Sequence, residues 1–201
     1  MFGQTHSGML SQKWILNIKK TLRYAETNPE TRMQYLSQLR QIVQERGKQS
    51  LVYIDESGFE EHAYRTSGWS KRGTKGYGDR PGNNRCRTNL IGARQGKKFL
   101  APMLYEGSTT ASLLNKWLKN LLFKEIPEGA TVIMDNAAFH KTASTRELFE
   151  KSPFHLLYLP PYSPDFNPIE NDFAILKKKR QFMPPQTKLD EIIKKYGLFL
   201  E

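Results

Sequence analysis

Two short, wholly apolar runs in this chain each end in an aspartate. LVYI (51–54) precedes Asp55, and TVIM (131–134) precedes Asp135. Such runs are typical of buried strands, and ligands of open α/β sheets lie at the carboxyl ends of the strands. A third acid, Glu170, lies in the run LPPYSPDFNPIEN, with 34 residues (136–169) between it and Asp135, which is room for a helix, a strand and a loop. The pattern favours three acids brought together at one edge of a sheet.

The remaining patterns predict alternating helices and strands. Asn28 as a cap and Pro29 at the first turn begin a helix over 30–46 that Gly47 ends. Its predicted apolar stripe is Met33, Leu36, Leu39, Ile42 and Val43. A hairpin is predicted from the two apolar segments RTNLIGAR and KFLAPMLYEG. A last strand is predicted over HLLYL (155–159). Further helices are expected over 14–24, 109–123, 142–152, from Pro168 onward, and over 189–196. This order favours an α/β fold with a mixed sheet and helices on both faces, and by itself leaves several topologies open.

The motifs IDESGF, MDNAAFHK and LPPYSPDFNPIEN resemble the three signature blocks of the mariner-like superfamily of DDE transposases, in the right order and spacing. The resemblance covers roughly residues 48–180 and extends to the bacterial insertion-sequence branch, which has the same gap between the second and third acids. It implies an RNase H-like fold with a five-stranded sheet, in which the first three strands are antiparallel and the last two parallel. The implied organisation is an N-terminal helical linker region, 1–47, and a catalytic domain, 48–201.

Asp55, Asp135 and Glu170 are the candidate catalytic residues and metal ligands. The resemblance implies a metal-dependent polynucleotidyl transferase and endonuclease with two Mg²⁺ ions, or Mn²⁺, held by these carboxylates. Each acid also has a structural explanation: a turn for Asp55, an N-cap or turn for Asp135, and a capping box with Asn167 for Glu170. Asp165 is a substitute third ligand. Glu56 is expected to point to the opposite face, because side chains alternate along a strand.

The chain carries a formal net charge of +11, and the charge is uneven. Residues 62–99 contain ten Lys and Arg and a single acid, Asp79. A phosphate backbone is the natural partner of such a segment, and a solvated mobile hairpin is the alternative. The candidate DNA-binding residues are Arg72, Lys75, Arg85, Arg87, His140, Lys177 and Lys178. For His140 the alternatives are that it orients a carboxylate or is a packed structural histidine. Trp69 and Tyr77 are expected to pack in a core rather than to stack on a base.

The implied partners are DNA, as transposon ends and target, a second copy of the chain in a homodimer, and a separately encoded helix-turn-helix half. About fifty residues precede Asp55, and they show no helix-turn-helix pattern; Phe173 also replaces a usual Trp. The alternatives are therefore a truncated, non-catalytic DNA-binding remnant and an RNase H-like nuclease without transposition. The single Cys86 excludes an internal disulfide. With no signal peptide or apolar span of membrane length, a bacterial, cytoplasmic, nucleoid-associated protein without a membrane partner is expected.

Overall fold

A computed structural model describes residues 26–60, 69–77, 87–184 and 187–198. The helix predicted over 14–24 lies outside these residues. The strands are β1 (Leu51–Glu60), β2 (Arg87–Gln95), β3 (Lys98–Tyr105), β4 (Thr131–Met134) and β5 (His155–Tyr158). The helices are α1 (Pro29–Arg46), α2 (Ala111–Trp117), α3 (Phe123–Glu125), α4 (Ala143–Glu150), α5 (Ile169–Phe182) and α6 (Leu189–Leu198). No helix in the described part of the chain is long and apolar enough to cross a bilayer.

The five strands form one sheet in the order β3-β2-β1-β4-β5. β1 pairs antiparallel with β2, and β2 with β3, around the predicted hairpin turn. β1 pairs parallel with β4, and β4 with β5. Three antiparallel strands followed by two parallel ones confirm the RNase H-like fold that the motifs predicted.

Helices cover both faces of the sheet, as predicted. On one face α2, α3 and α4 pack on a core around Val52, Ile54 and Val132. On the other face, α5 and α6 pack on Phe59 and Leu90. α1 lies on that second face, against Leu51, Ile133 and Leu159. These last contacts confirm that α1 packs on the catalytic core; the domain boundary at residue 48 stays a prediction.

α1 begins where the sequence predicted, because the Asn28 side chain accepts hydrogen bonds from the Glu30 and Thr31 amides. Its buried stripe differs from the prediction at one position. Met33 is 65% exposed, and Tyr35 is the buried residue of this turn. The reason is helical spacing: residues 35, 36, 39, 42 and 43 repeat every three or four positions on one side, and Met33 falls outside that stripe.

The helix predicted over 109–123 changes its pitch. Thr110 caps α2 through a bond to the Leu113 amide, and after Trp117 the chain forms a π-helical turn over Leu118–Leu122 that leads into α3. Leu122 is fully buried, whereas Leu121 is 38% exposed. The wider π-helical turn places more residues in each turn, so only one of these two adjacent leucines faces the core.

Candidate active site

Asp55 lies inside β1, and this corrects the prediction that the strand ends at this residue. β4 pairs with β1 only over Leu51–Tyr53, but β2 pairs with it as far as Glu60. Asp55 is therefore the second residue beyond the end of the parallel pairing. The strand continues because the following residues still have a partner in β2, which no local pattern in IDESGF reveals.

The surroundings of Asp55 are apolar and crowded. Its partner in β2 is Gly92, and a Cβ at Gly92 would lie 2.7 Å from the Phe99 ring. The Phe99 ring in turn makes an edge contact with Phe173, whose ring is buried. Burial is the main cause that raises the pKa of Asp55, to about 7; the negative charges of Glu56, Asp135 and Glu170 also raise it, and the hydrogen bond from the Glu56 amide lowers it. Three acids that are far apart in sequence thus act on Asp55.

Asp135 follows β4 and is bound to a buried histidine. Its Oδ1 lies 2.5 Å from His140 Nδ1, and the Ala137 amide donates to the same oxygen at 3.0 Å. Burial lowers the pKa of His140, but the hydrogen bonds to Asp135 and Glu56 outweigh burial and raise it to about 9. The pKa of Asp135 is lowered, because the His140 and Ala137 bonds outweigh its own burial. The two groups therefore form an ion pair at neutral pH.

Glu56 belongs to this site, although sequence reasoning left it out. It lies on the opposite face of β1 from Asp55, beside Ile91 in β2, as the alternation of side chains predicted. Its Oε1 nevertheless lies 3.2 Å from His140 Nε2. His140 is fully buried, and both ring nitrogens face carboxylates of the protein; this agrees with the alternative that His140 orients a carboxylate, and DNA contact by its ring is not supported. The short spacing from Asp135 to His140 was a sequence signal for their contact. No sequence signal indicated the contact of Glu56 with His140.

Glu170 lies in the first turn of α5 and is exposed. Two residues later, Asp172 is fully buried, and Arg94 Nη1 donates to both of its oxygens at 2.5 and 2.6 Å. The Tyr196 hydroxyl donates to the same carboxylate. Asp172 therefore fixes the start of α5 to β2 and α6. No sequence motif marks Asp172 as a functional residue.

Asn167 does not form the predicted capping box. α5 has no side-chain cap, and Asn167 Nδ2 instead lies 3.4 Å from both Ile54 O and Asp55 Oδ2. The capping interpretation fails because Asn167 is buried against β1, where acceptors of the strand compete for its amide.

The proline-rich loop before α5 is attached to α1. Arg32 Nη2 donates to Asp165 Oδ2 at 2.6 Å and Nη1 to Asp165 Oδ1 at 3.0 Å. The same guanidinium bonds Ser163 Oγ at 2.8 Å and lies 3.9 Å from the centroid of the Phe166 ring. Both oxygens of Asp165 thus face Arg32, and its suggested use as a substitute metal ligand is not supported.

Carboxylates are the ligands that Mg²⁺ and Mn²⁺ prefer, and the site fits such ions in charge and chemistry. The negative charges around Asp55 are repulsive without a cation, and the buried Oδ1 atoms of Asn136 and Asn167 have no hydrogen-bond partner among the described residues. Within that part of the chain, no three His, Cys, Asp or Glu side chains stand in ligand geometry for one ion. That Asp55, Asp135 and Glu170 share metal ions stays a prediction.

The predicted DNA-binding residues lie in several places. Arg72 and Lys75 are exposed, as are Lys177 and Lys178 on α5. Arg87 is exposed at the start of β2, and its guanidinium lies where a Cβ on Gly58 would be. Arg85 and Cys86 fall outside the described residues. DNA contact by these cations stays a prediction.

The two aromatic residues near this basic segment do not pack in a core. Trp69 is fully exposed and Tyr77 is 90% exposed, so the expectation of packing is wrong. The polar, glycine-punctuated sequence around them gives no apolar stripe that would bury a ring.

The sequence matches the family model described as DDE superfamily endonuclease over residues 50–192. No curated protein matches it. Among solved structures, a Mos1 transposase paired-end complex with the left transposon end is 19% identical, with a TM-score of 0.72 over 92% of this chain and 60% of that chain. A Mos1 mariner paired-end complex with Mn gives 19% identity and a TM-score of 0.73 over the same shares. The catalytic domain of Mos1 mariner transposase gives 17% identity and 0.61, over 89% and 84%. The chain spans about 60% of the Mos1 chains in the two complexes.

Proposed function

Because the chain belongs to the DDE superfamily of endonucleases, we propose that it is the catalytic domain of a cut-and-paste DNA transposase of the bacterial insertion-sequence branch. One observation carries the proposal: Asp55 lies on the middle strand of the sheet, Asp135 follows the neighbouring parallel strand β4, and Glu170 begins α5. Asn167, just before α5, lies 3.4 Å from Asp55 Oδ2. Separate turns or caps would not need acids from three elements on one side of the sheet.

Asp55, Asp135 and Glu170 are the proposed ligands of two Mg²⁺ ions, with Mn²⁺ as an alternative. A Mos1 paired-end complex with Mn has the same fold. When bound, such cations activate a water or a 3′-hydroxyl and stabilise the leaving oxygen. The role of the three carboxylates is to bind the cations. The proposed reaction needs no covalent nucleophile from the protein.

His140 and Glu56 have the proposed role of positioning Asp135. The His140 ring lies between the Asp135 and Glu56 carboxylates, 2.5 and 3.2 Å from them, and the Tyr158 hydroxyl donates to the His140 carbonyl at 2.9 Å. Side chains that orient a ligand affect metal affinity by roughly 10–100-fold when they are replaced. Glu56→Gln should therefore weaken Mn²⁺ binding about tenfold, as measured by titration calorimetry, and unchanged affinity would remove Glu56 from the site.

Cleavage of supercoiled plasmid and joining of a pre-cleaved transposon end test the proposed reaction. Both should need Mg²⁺ or Mn²⁺ and should be lost in Asp55→Asn, Asp135→Asn and Glu170→Gln. Asp165→Asn is the matched control, since its carboxylate is bonded to Arg32, and it should retain activity. Cleavage without joining would indicate a nuclease that does not transpose. Binding of DNA without cleavage would indicate a non-catalytic remnant.

DNA, as transposon end and as target, is the proposed partner. A Mos1 complex with a transposon end shares the fold, and the basic residues supply the charge for phosphate contacts. On duplex DNA each phosphate contact adds about 0.9 to the salt slope. Binding measured by fluorescence anisotropy should weaken alike on every sequence when four residues are reversed to Glu: Arg72, Lys75, Arg85 and Arg87. An equal number of reversals on exposed lysines elsewhere, at Lys116, Lys119, Lys194 and Lys195, controls for net charge. Binding that does not respond to salt would contradict this assignment.

A homodimer and a separately encoded helix-turn-helix half are proposed further partners, in the bacterial cytoplasm at the nucleoid. α1 packs on the sheet, and its outer face is not notably basic. The chain alone should therefore bind a terminal repeat and a scrambled duplex with similar affinity in competition at physiological salt. A preference for the repeat above about a hundredfold, roughly 2.7 kcal/mol, would mean that the chain contains a sequence-reading element.

A further inference from the structure

Asn167 makes contacts that a helix-capping residue would not make. It is 4% exposed and lies just before the Pro168–Ile169 start of α5. Its Nδ2 lies 3.4 Å from Ile54 O and 3.4 Å from Asp55 Oδ2. Its side chain therefore connects the segment that carries Glu170 to the strand that carries Asp55.

The orientation of the Asn167 amide follows from its neighbours. A backbone carbonyl only accepts hydrogen bonds, so the NH₂ half of the amide must face Ile54 O, and it then also faces Asp55 Oδ2. The Oδ1 half points away; it is buried and has no hydrogen-bond partner among the described residues.

The second oxygen of Asp55 is also fixed. The Glu56 amide donates to Asp55 Oδ1 at 2.8 Å, and Asn167 Nδ2 faces Oδ2. Each oxygen of the carboxylate thus has one protein donor that sets its direction and leaves a further lone pair. A carboxylate held in this way is oriented before a cation binds.

The geometry points to Asn167 as a positioning residue for the divalent cation: its NH₂ lies 3.4 Å from both Ile54 O and Asp55 Oδ2 and orients the Asp55 carboxylate. The inference rests on the proposed function, since it needs a cation at Asp55. It adds a neutral side chain to the three acids and couples the Glu170 segment to Asp55.

Cation binding by the DNA-free chain, measured by Mn²⁺ titration, tests this role without a reaction. Asn167→Ala should weaken Mn²⁺ binding about tenfold, within the range for residues that orient a ligand. Asn171→Ala is the control, because Asn171 is an exposed residue in the same first turn of α5. It should bind Mn²⁺ as the unmodified chain does.

Asn167→Asp gives an independent readout through thermal unfolding. A fourth carboxylate beside Asp55 should lower Tm without cation and enlarge the upward shift of Tm that Mn²⁺ produces. If Asn167→Ala does not fold, this variant decides alone. Asn167 is only structural if Asn167→Ala binds Mn²⁺ normally, or if Asn167→Asp shows the same Mn²⁺-induced shift as the unmodified chain. If instead Asp55→Asn and Glu170→Gln bind Mn²⁺ as well as the unmodified chain, the proposed function itself fails.

Discussion

Replacing Arg94 by Met tests what fixes the start of α5. Arg94 bonds both oxygens of Asp172, which is fully buried, and the Arg94 side chain keeps only 22% exposure. Removing one partner of a buried ion pair costs about 3–5 kcal/mol, because a buried charge is left uncompensated. We expect the lower end, about 3 kcal/mol, because Arg94 is partly solvated and the Tyr196 hydroxyl still donates to Asp172.

Urea unfolding followed by circular dichroism measures this loss in the free energy of unfolding, at constant m-value. Tyr196→Phe should cost less, about 1.5 kcal/mol, for one hydrogen bond to a charged group. The double variant Arg94→Met/Asp172→Leu should recover part of the loss, because no charge then stays buried. Lys194→Met is the control, since its ion pair with Asp190 lies on the surface of α6, and its stability should be unchanged. If Arg94→Met were as stable as Lys194→Met, the ion pair would not stabilise the fold and the argument would be refuted.

Two further substitutions test the surroundings of the site. Gly92→Ala places a Cβ 2.7 Å from the Phe99 ring and should lower the free energy of unfolding by about 1–3 kcal/mol through overpacking. Gly197→Ala in α6, where a Cβ meets nothing within 4 Å, should instead be neutral or stabilising, and equal effects of the two would contradict the packing argument. Arg32→Ala removes the three hydrogen bonds to the proline-rich loop and the ring contact and should cost about 1 kcal/mol, since the pair is partly exposed. Arg40→Ala is the control, since Arg40 is exposed on the same helix, and it should leave the urea midpoint unchanged. If Arg32→Ala had the same midpoint as Arg40→Ala, the attachment of the loop to α1 would not contribute to stability.

The sequence was a good guide to elements whose signals are local. Asn28, Pro29 and Gly47 set the ends of α1 because capping and backbone preferences act within a few residues. The TVIM strand and the hairpin around Gly96 formed as predicted, for the same reason. The motifs added the sheet topology, which no periodicity specifies.

Local reasoning failed where a distant partner competed with a nearby one. Asn167 has a sequence context that predicts a cap, yet in the fold it lies against β1 and faces Ile54 and Asp55. The alternation of side chains along a strand excluded Glu56 from the predicted site. Alternation gives the correct face of β1 for Glu56, but it does not predict that His140 lies on that face within 3.2 Å. Asp172 has no motif, and only the approach of Arg94 from β2 explains its burial.

The sequence by itself determined the order of elements, the fold class, the three acids and the concentration of positive charge, because each depends on residue type and on spacing along the chain. The tertiary structure decided how Asp55 is held, which histidine and glutamate accompany Asp135, and how the proline-rich loop is fixed by Arg32. These features depend on side chains as far as 133 residues apart in sequence, which meet only after the sheet has formed. The contacts of these side chains follow from packing and burial. Burial also sets how strongly a hydrogen bond or an ion pair stabilises the fold, and no local sequence pattern encodes burial.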